Sequence, residues 1–146
     1  IYHSEKYNKD INQTFVQDNY SFSLKNVLRG LHFQKNKPQA KLVQVINGSV
    51  FDVAVDLRKE SKTYGRWYGV ELSSKNKKQF YIPEGFAHGF LTLSDHVSFI
   101  YKCSSFYDPF DEETLLWNDK ELDIKWPSSN PIVSAKDLLG KKLSEL

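Results

Sequence analysis

Lys41-Leu42-Val43-Gln44-Val45-Ile46-Asn47-Gly48-Ser49-Val50-Phe51-Asp52-Val53-Ala54-Val55-Asp56-Leu57 is the stretch on which the fold turns. Its second half alternates, with Phe51, Val53, Val55 and Leu57 facing one way and Val50, Asp52, Ala54 and Asp56 the other, the period of a strand. Asn47-Gly48 reads as a hairpin turn, because both residues tolerate the positive φ that tight turns demand. It would join this strand to the run Lys41 to Ile46. Outward from here, shorter runs read as strands over 14–17, 67–72, 79–82, 89–93, 97–103 and 114–117, punctuated by the polar turn 73–78 and the corner Pro83-Glu84-Gly85. Many short strands at such spacing predict a sandwich, jelly roll or barrel rather than alternating βα units. Helix is predicted only over 5–11 and in the tail over 134–139.

Composition narrows the class further. A chain of 146 residues suits one domain with a proper core, so residues 1–146 are read as a single domain. The net charge of +2 is spread among acidic residues and gives no clustered basic face, which argues against a nucleic-acid partner but suits an anionic small molecule. A single cysteine, Cys103, cannot form an internal disulfide and fits a reducing compartment. No apolar run reaches membrane-span length and no signal-peptide pattern opens the chain, so a cytoplasmic protein with no membrane partner is expected. The sequence contains no Met, so it is read as a trimmed chain.

Several positions could carry chemistry. Arg29-Gly30-Leu31-His32 places a cation and a base three residues apart in a chain with only three Arg. On a regular strand the two would face opposite sides, unless Gly30 bulges the backbone and turns both to one pocket. Taken alone, the segment favours a hydrogen-bonded core histidine and a surface arginine. Asp52 and Asp56 share one strand face, pointing to solvent in a sandwich or into the lumen of a barrel. Pro83-Glu84-Gly85-Phe86-Ala87-His88 resembles the second cupin motif, whose His is often a metal ligand. A metal site needs about three protein ligands, and the His-x-His pair of the first cupin motif has no counterpart near His32, so no metal is expected. Taken alone, Tyr101 reads as a core aromatic in preference to a proton donor at a pocket mouth, Lys41 as one of 17 lysines, and Asp137 as a helix-start carboxylate.

Taken in order, these segments resemble the dTDP-4-dehydrorhamnose 3,5-epimerase family. The matching pieces are Phe15 to Asn19, Val27 to Gln34, Gln39 to Val43, Gly48 to Arg58, Ile82 to Phe90, Tyr101-Lys102 with Tyr107, Leu116 to Asp119, Ile124 to Pro127 and Ser134 to Asp137. The resemblance implies a mainly β, cupin-type double-stranded β-helix (a jelly-roll barrel) with short peripheral helices. It also implies a homodimer and a metal-free, cofactor-free epimerase of a nucleotide-diphosphate 4-keto sugar. By resemblance, His32 is the base, Asp137 the carboxylate that orients it, Lys41 the cation beside the keto oxygen and Tyr101 the acid that reprotonates from the opposite face. Arg29 is expected to grip the diphosphate, and Gln17, Asn19, Asp52, His88, Tyr107 and Lys136 to line the pocket. The family's usual opening segment, with its Asp-x-Arg-Gly-x-Phe-x-Glu motif, is not in this sequence.

The substrate implied is dTDP-4-dehydro-6-deoxyglucose, inverted at C3 and C5. The residues leave open the same chemistry, or inversion at one carbon, on a GDP-linked 4-keto heptose or another sugar. A non-catalytic cupin that binds sugar nucleotides is the alternative of another class.

Overall fold

A computed structural model describes residues 1–146. Ten strands make two sheets. The strands are β1 (Gln17–Leu24), β2 (Val27–Gln34), β3 (Lys41–Asn47), β4 (Ser49–Asp56), β5 (Trp67–Ser73), β6 (Gln79–Ile82), β7 (Phe86–Thr92), β8 (His96–Cys103), β9 (Glu112–Thr114) and β10 (Ile132–Val133). One sheet runs β1-β8-β3-β6, and the other runs β10-β2-β7-β4-β5 with β9 also on β2. The pairs are antiparallel except β10 with β2, and the two sheets face each other as a cupin-type jelly-roll barrel. Helices are short and peripheral: α1 (Ser4–Tyr7), shorter than the predicted 5–11, and α2 (Ala135–Leu138).

The alternation of β4 is resolved by two separate cores. Val50 and Ala54 pack between the sheets with Val43, Val45, Phe90, Val97 and Phe99. Val53 and Val55 face outward, yet they are equally buried, because Leu115, Leu122 and Leu143 of the C-terminal segment cover them. Fully burying each such side chain is worth about 1.5–3 kcal/mol. Asp52 therefore points into the barrel and not to solvent, and Asp56 is buried too. Asp56 closes the strand end, accepting from the Arg58 guanidinium, Ser61 and Thr63.

Asn47-Gly48 does not close a hairpin. β3 and β4 belong to different sheets, and Gly48, at φ +88°, makes the corner by which the chain crosses from one to the other. A Cβ there would lie 2.2 Å from the carbonyl oxygen of His96, so the crossing requires glycine. The first strand also departs from expectation, running over Gln17–Leu24 instead of 14–17. Its usual pattern is inverted: Gln17, Asn19 and Ser21 point inward while Tyr20, Phe22 and Leu24 are exposed. Polar residues can face in because that part of the interior is a cavity. The strand read over 114–117 is instead β9, placed earlier, with Leu115 making only an isolated bridge to Lys141.

Candidate active site

Between the two sheets lies a cavity of about 360 Å³. Its walls are chemically distinct. β2 and β7 of the larger sheet supply Arg29, His32 and His88, while β1, β3 and β8 of the smaller sheet supply Gln17, Asn19, Lys41 and Tyr101. Tyr107, Glu112 and Lys136 complete it from the C-terminal third.

Gly30 is what brings Arg29 and His32 to the same wall. Arg29 pairs with Phe90 and His32 with His88, so three steps on β2 match two on β7, and the extra residue is a bulge. The bulge is tight: Gly30 has φ +117°, and a Cβ on it would stand 2.6 Å from the Gly89 Cα and 2.7 Å from the His88 carbonyl oxygen. The reading of His32 as a core histidine and Arg29 as a mere surface partner is therefore set aside, since both line the cavity. Arg29 is braced, its Nε donating to Ser23 Oγ at 2.8 Å and Nη2 to the Phe22 carbonyl at 3.2 Å.

Each cavity histidine is backed by a buried aspartate. Asp137 is on α2, whose Ser134 cap accepts from the Asp137 N–H, so Ser134 rather than Asp137 caps the helix. The freed carboxylate reaches His32 Nε2 at 2.6 Å through Oδ1 and accepts the Gly30 N–H at 3.1 Å through Oδ2. Burial alone would raise this carboxyl, but the hydrogen bond and charge of His32 and the Gly30 N–H hold it below its ordinary value. With a carboxylate accepting at Nε2, the imidazole hydrogen sits there and the Nδ1 lone pair is left free. Across the strand pair, Asp52 holds His88 Nε2 at 2.9 and 3.0 Å with its two oxygens. Burial pushes His88 down, favouring the neutral ring, against the pull of Asp52.

The opposite wall carries an unpaired cation and an acid. Lys41 is 8% exposed, lines the cavity, and its ammonium has neither a hydrogen bond nor an ion pair. Burial drives it below the ordinary lysine value, only partly offset by Cys103, Glu112 and Asp52. A desolvated cation with no partner is costly, and an anion arriving in the cavity relieves that cost. Its ammonium lies 5.8 Å from the ring centroid of Tyr101. Tyr101 is pushed up to about 12, chiefly by burial, so its phenol keeps its proton at neutral pH.

All eleven residues singled out from sequence therefore converge: Asp52 and Asp137 stand behind the two histidines, and the others line the cavity. Sequence reasoning missed Glu112. This carboxylate is ion-paired with Lys136, accepts from the Tyr107 hydroxyl at 3.2 Å, and lies 3.9 Å from His32 Nδ1. Its only signal was its place in the acidic run Asp111-Glu112-Glu113, which reads as a solvated loop. Cys103 also lines the cavity, its sulfur accepting from Asn19 Nδ2 at 3.5 Å.

Comparison with known proteins gives a consistent picture. The family model for dTDP-4-dehydrorhamnose 3,5-epimerase matches residues 1–145. The dTDP-4-dehydrorhamnose 3,5-epimerase of Salmonella typhimurium is 57% identical over 134 residues, covering 90% of this chain and 73% of that protein. The crystal structure of dTDP-6-deoxy-D-glucose-3,5-epimerase from Legionella pneumophila Philadelphia 1, in complex with dTDP-4-keto-L-rhamnose, superimposes with a TM-score of 0.95 at 48% identity, covering 98% of this chain and 78% of that one. The Bacillus anthracis dTDP-4-dehydrorhamnose 3,5-epimerase, with TDP and PPi bound, gives 0.94 at 46% identity, covering 97% and 82%.

Proposed function

The chain belongs to the dTDP-4-dehydrorhamnose 3,5-epimerase family, and on that premise we propose how its cavity inverts two carbons of a nucleotide-linked 4-keto sugar. The reaction converts dTDP-4-dehydro-6-deoxyglucose to dTDP-4-dehydrorhamnose, an isomerisation. The observation that carries the mechanism is the placement of a free imidazole nitrogen and a protonated phenol on opposite sheets, with an unpaired ammonium on the phenol's side.

A C–H next to a ketone becomes acidic only if the electron pair left behind is stabilised on oxygen. His32 Nδ1 takes the proton from C3 or C5, the pair moves toward C4, and the keto oxygen becomes an enolate oxygen. Lys41 meets that charge, and a preorganised donor of this kind is worth about 3–4 kcal/mol. Tyr101 then returns a proton to the opposite face of the carbon, which inverts it, and exchange with solvent takes the proton from His32 and restores the Tyr101 phenol before the second carbon reacts. Asp137 holds the tautomer and supports the imidazolium, while the neutral His88, held by Asp52, donates no competing charge. Arg29, with N–H groups still free beyond its brace, grips the diphosphate bidentately, as a lysine would not. Gln17, Asn19, Tyr107 and Lys136 contact the remainder of the substrate.

The proposal extends to assembly and setting. Tyr20, Phe22 and Leu24 make an exposed apolar stripe on the edge strand β1, which fits burial against a second copy of the chain. Cys103 is a free buried thiol, as a reducing cytoplasm keeps it. No helix is long and apolar enough to cross a membrane.

Incubation with dTDP- and GDP-linked 4-keto-6-deoxy sugars, followed by NMR coupling constants of the reduced products, tests the substrate reading. An L-rhamno product from the dTDP sugar is expected. Turnover confined to the GDP sugar would overturn it.

A further inference from the structure

Between β8 and β9 the chain runs through residues 104–111, of which Tyr107 alone lines the cavity. No neighbouring strand holds the backbone around Tyr107. Instead, side-chain amides of three glutamines hold four consecutive residues. Gln39 Nε2 donates to the Ser105 carbonyl at 2.8 Å, and Gln34 Nε2 to the Phe106 carbonyl at 3.2 Å. The Tyr107 N–H donates to Gln17 Oε1 at 2.8 Å, and the Asp108 N–H to Gln34 Oε1 at 2.8 Å.

Gln34 is the centre of this cradle. It ends β2, two residues beyond His32, is 5% exposed, and does not line the cavity. Its second amide N–H donates to the Lys37 carbonyl at 2.7 Å, so one buried carboxamide ties the strand of the base, the turn after it and both neighbours of Tyr107. A buried amide is expensive unless satisfied, and this one is satisfied entirely by backbone whose position sets a cavity side chain. Tyr107 in turn donates to Glu112, the carboxylate facing His32.

We propose that Gln34 is a positioning residue of the epimerase: it fixes the backbone at 106–108 and so keeps the Tyr107 side chain on the cavity wall against Glu112. The inference rests on reading this cavity as the epimerase site. It makes a loop with no ladder of its own as well placed as a strand.

The test is a double-mutant cycle on kcat/KM with the dTDP-4-keto sugar. Gln34→Met keeps length but removes all three hydrogen bonds. Displacing a site group by about 1 Å costs roughly 100-fold, so a fall of about 10- to 100-fold is expected in the otherwise unchanged protein. In a Tyr107→Ala background the same change should cost less than about twofold, whereas the drop in Tm should be alike in both backgrounds. Equal losses of kcat/KM in the two backgrounds, or an unaffected Gln34→Met, would overturn the proposal. Gln34→Glu, which keeps the acceptor for the Asp108 N–H, serves by the same criteria where Gln34→Met fails to fold. Amide exchange needs no substrate: at Tyr107 and Asp108 it should quicken about tenfold or more in the variant while β3 and β4 stay protected. Unchanged exchange refutes Gln34's role, whereas an inactive parent protein with quickened exchange refutes only the epimerase reading.

Discussion

Asp137→Asn should abolish epimerisation while leaving the fold in place, and the reason lies in which atom faces which. Asp137 Oδ2 accepts the Gly30 N–H at 3.1 Å and Oδ1 stands 2.6 Å from His32 Nε2. An asparagine of the same shape must keep its oxygen toward the Gly30 N–H, because an NH2 there would oppose another donor. Its NH2 therefore points at His32 Nε2, which must become an acceptor. The imidazole hydrogen moves to Nδ1, the nitrogen facing the cavity, and the base is lost. The corresponding carboxylate-to-amide change in a serine-protease triad lowers turnover about 10⁴-fold for the same reason. Four decades at about 1.36 kcal/mol each make roughly 5.4 kcal/mol of barrier. The stability cost is far smaller, about 1 kcal/mol, the difference between a charge-assisted and a neutral hydrogen bond. Product formation followed by NMR, with Tm measured alongside, checks both halves. Turnover within about tenfold of the parent protein would refute the tautomer argument.

Lys41→Met should lower kcat by roughly 100- to 1,000-fold, the worth of one oxyanion donor, yet leave Tm unchanged or raised, because an unpaired buried cation disappears. The contribution of Lys41 to stability should grow as pH rises through the alkaline range toward the ordinary lysine value. There folded Lys41, its pKa lowered by burial, has shed a proton that the unfolded chain still binds, and denaturation at several pH values compared with Lys41→Met isolates this contribution. Tyr101→Phe should cost about 100- to 10,000-fold in product formation with little change in Tm, since the hydroxyl has no hydrogen-bond partner to lose; full activity would remove Tyr101 from the mechanism. Gly30→Ala should destabilise the protein by about 1–3 kcal/mol or more in urea titration, because the new Cβ meets Gly89 and His88 backbone at a φ of +117°.

Much of this was legible in the chain because strand patterns and turn residues report local geometry. The alternation over Val50–Leu57 located β4, and Gly30 left open the bulge that turns Arg29 and His32 to one wall, though the segment alone favoured the opposite reading. What was not legible depends on the other sheet. Asn47-Gly48 has the chemistry of a hairpin turn, but the partner strands of β3 and β4 are chosen by distant segments, so the same turn became a corner between sheets. Asp52 lies inside because a C-terminal segment, some sixty residues away or more, covers the outward face of β4, as Leu115, Leu122 and Leu143 show. β1 hid its true extent because a strand facing a polar cavity inverts the apolar alternation. The site roles came from resemblance, and the geometry suits those proposed for His32, Lys41 and Tyr101: a lone pair fixed by Asp137, a cation left without a partner, a phenol kept protonated. Gln17 was expected in the pocket by resemblance, but Glu112 showed only as part of an acidic run and nothing marked Gln34 or Gln39 as a loop anchor, since that role lies in which backbone the fold sets against them.

If His32 removes and Tyr101 returns protons at the two carbons flanking one ketone, NMR of dTDP-4-dehydro-6-deoxyglucose incubated with the protein in heavy water will show it. Deuterium at both C3 and C5 is predicted, lost from both positions in His32→Ala. Deuterium at neither carbon, or exchange that survives intact in His32→Ala, would contradict it.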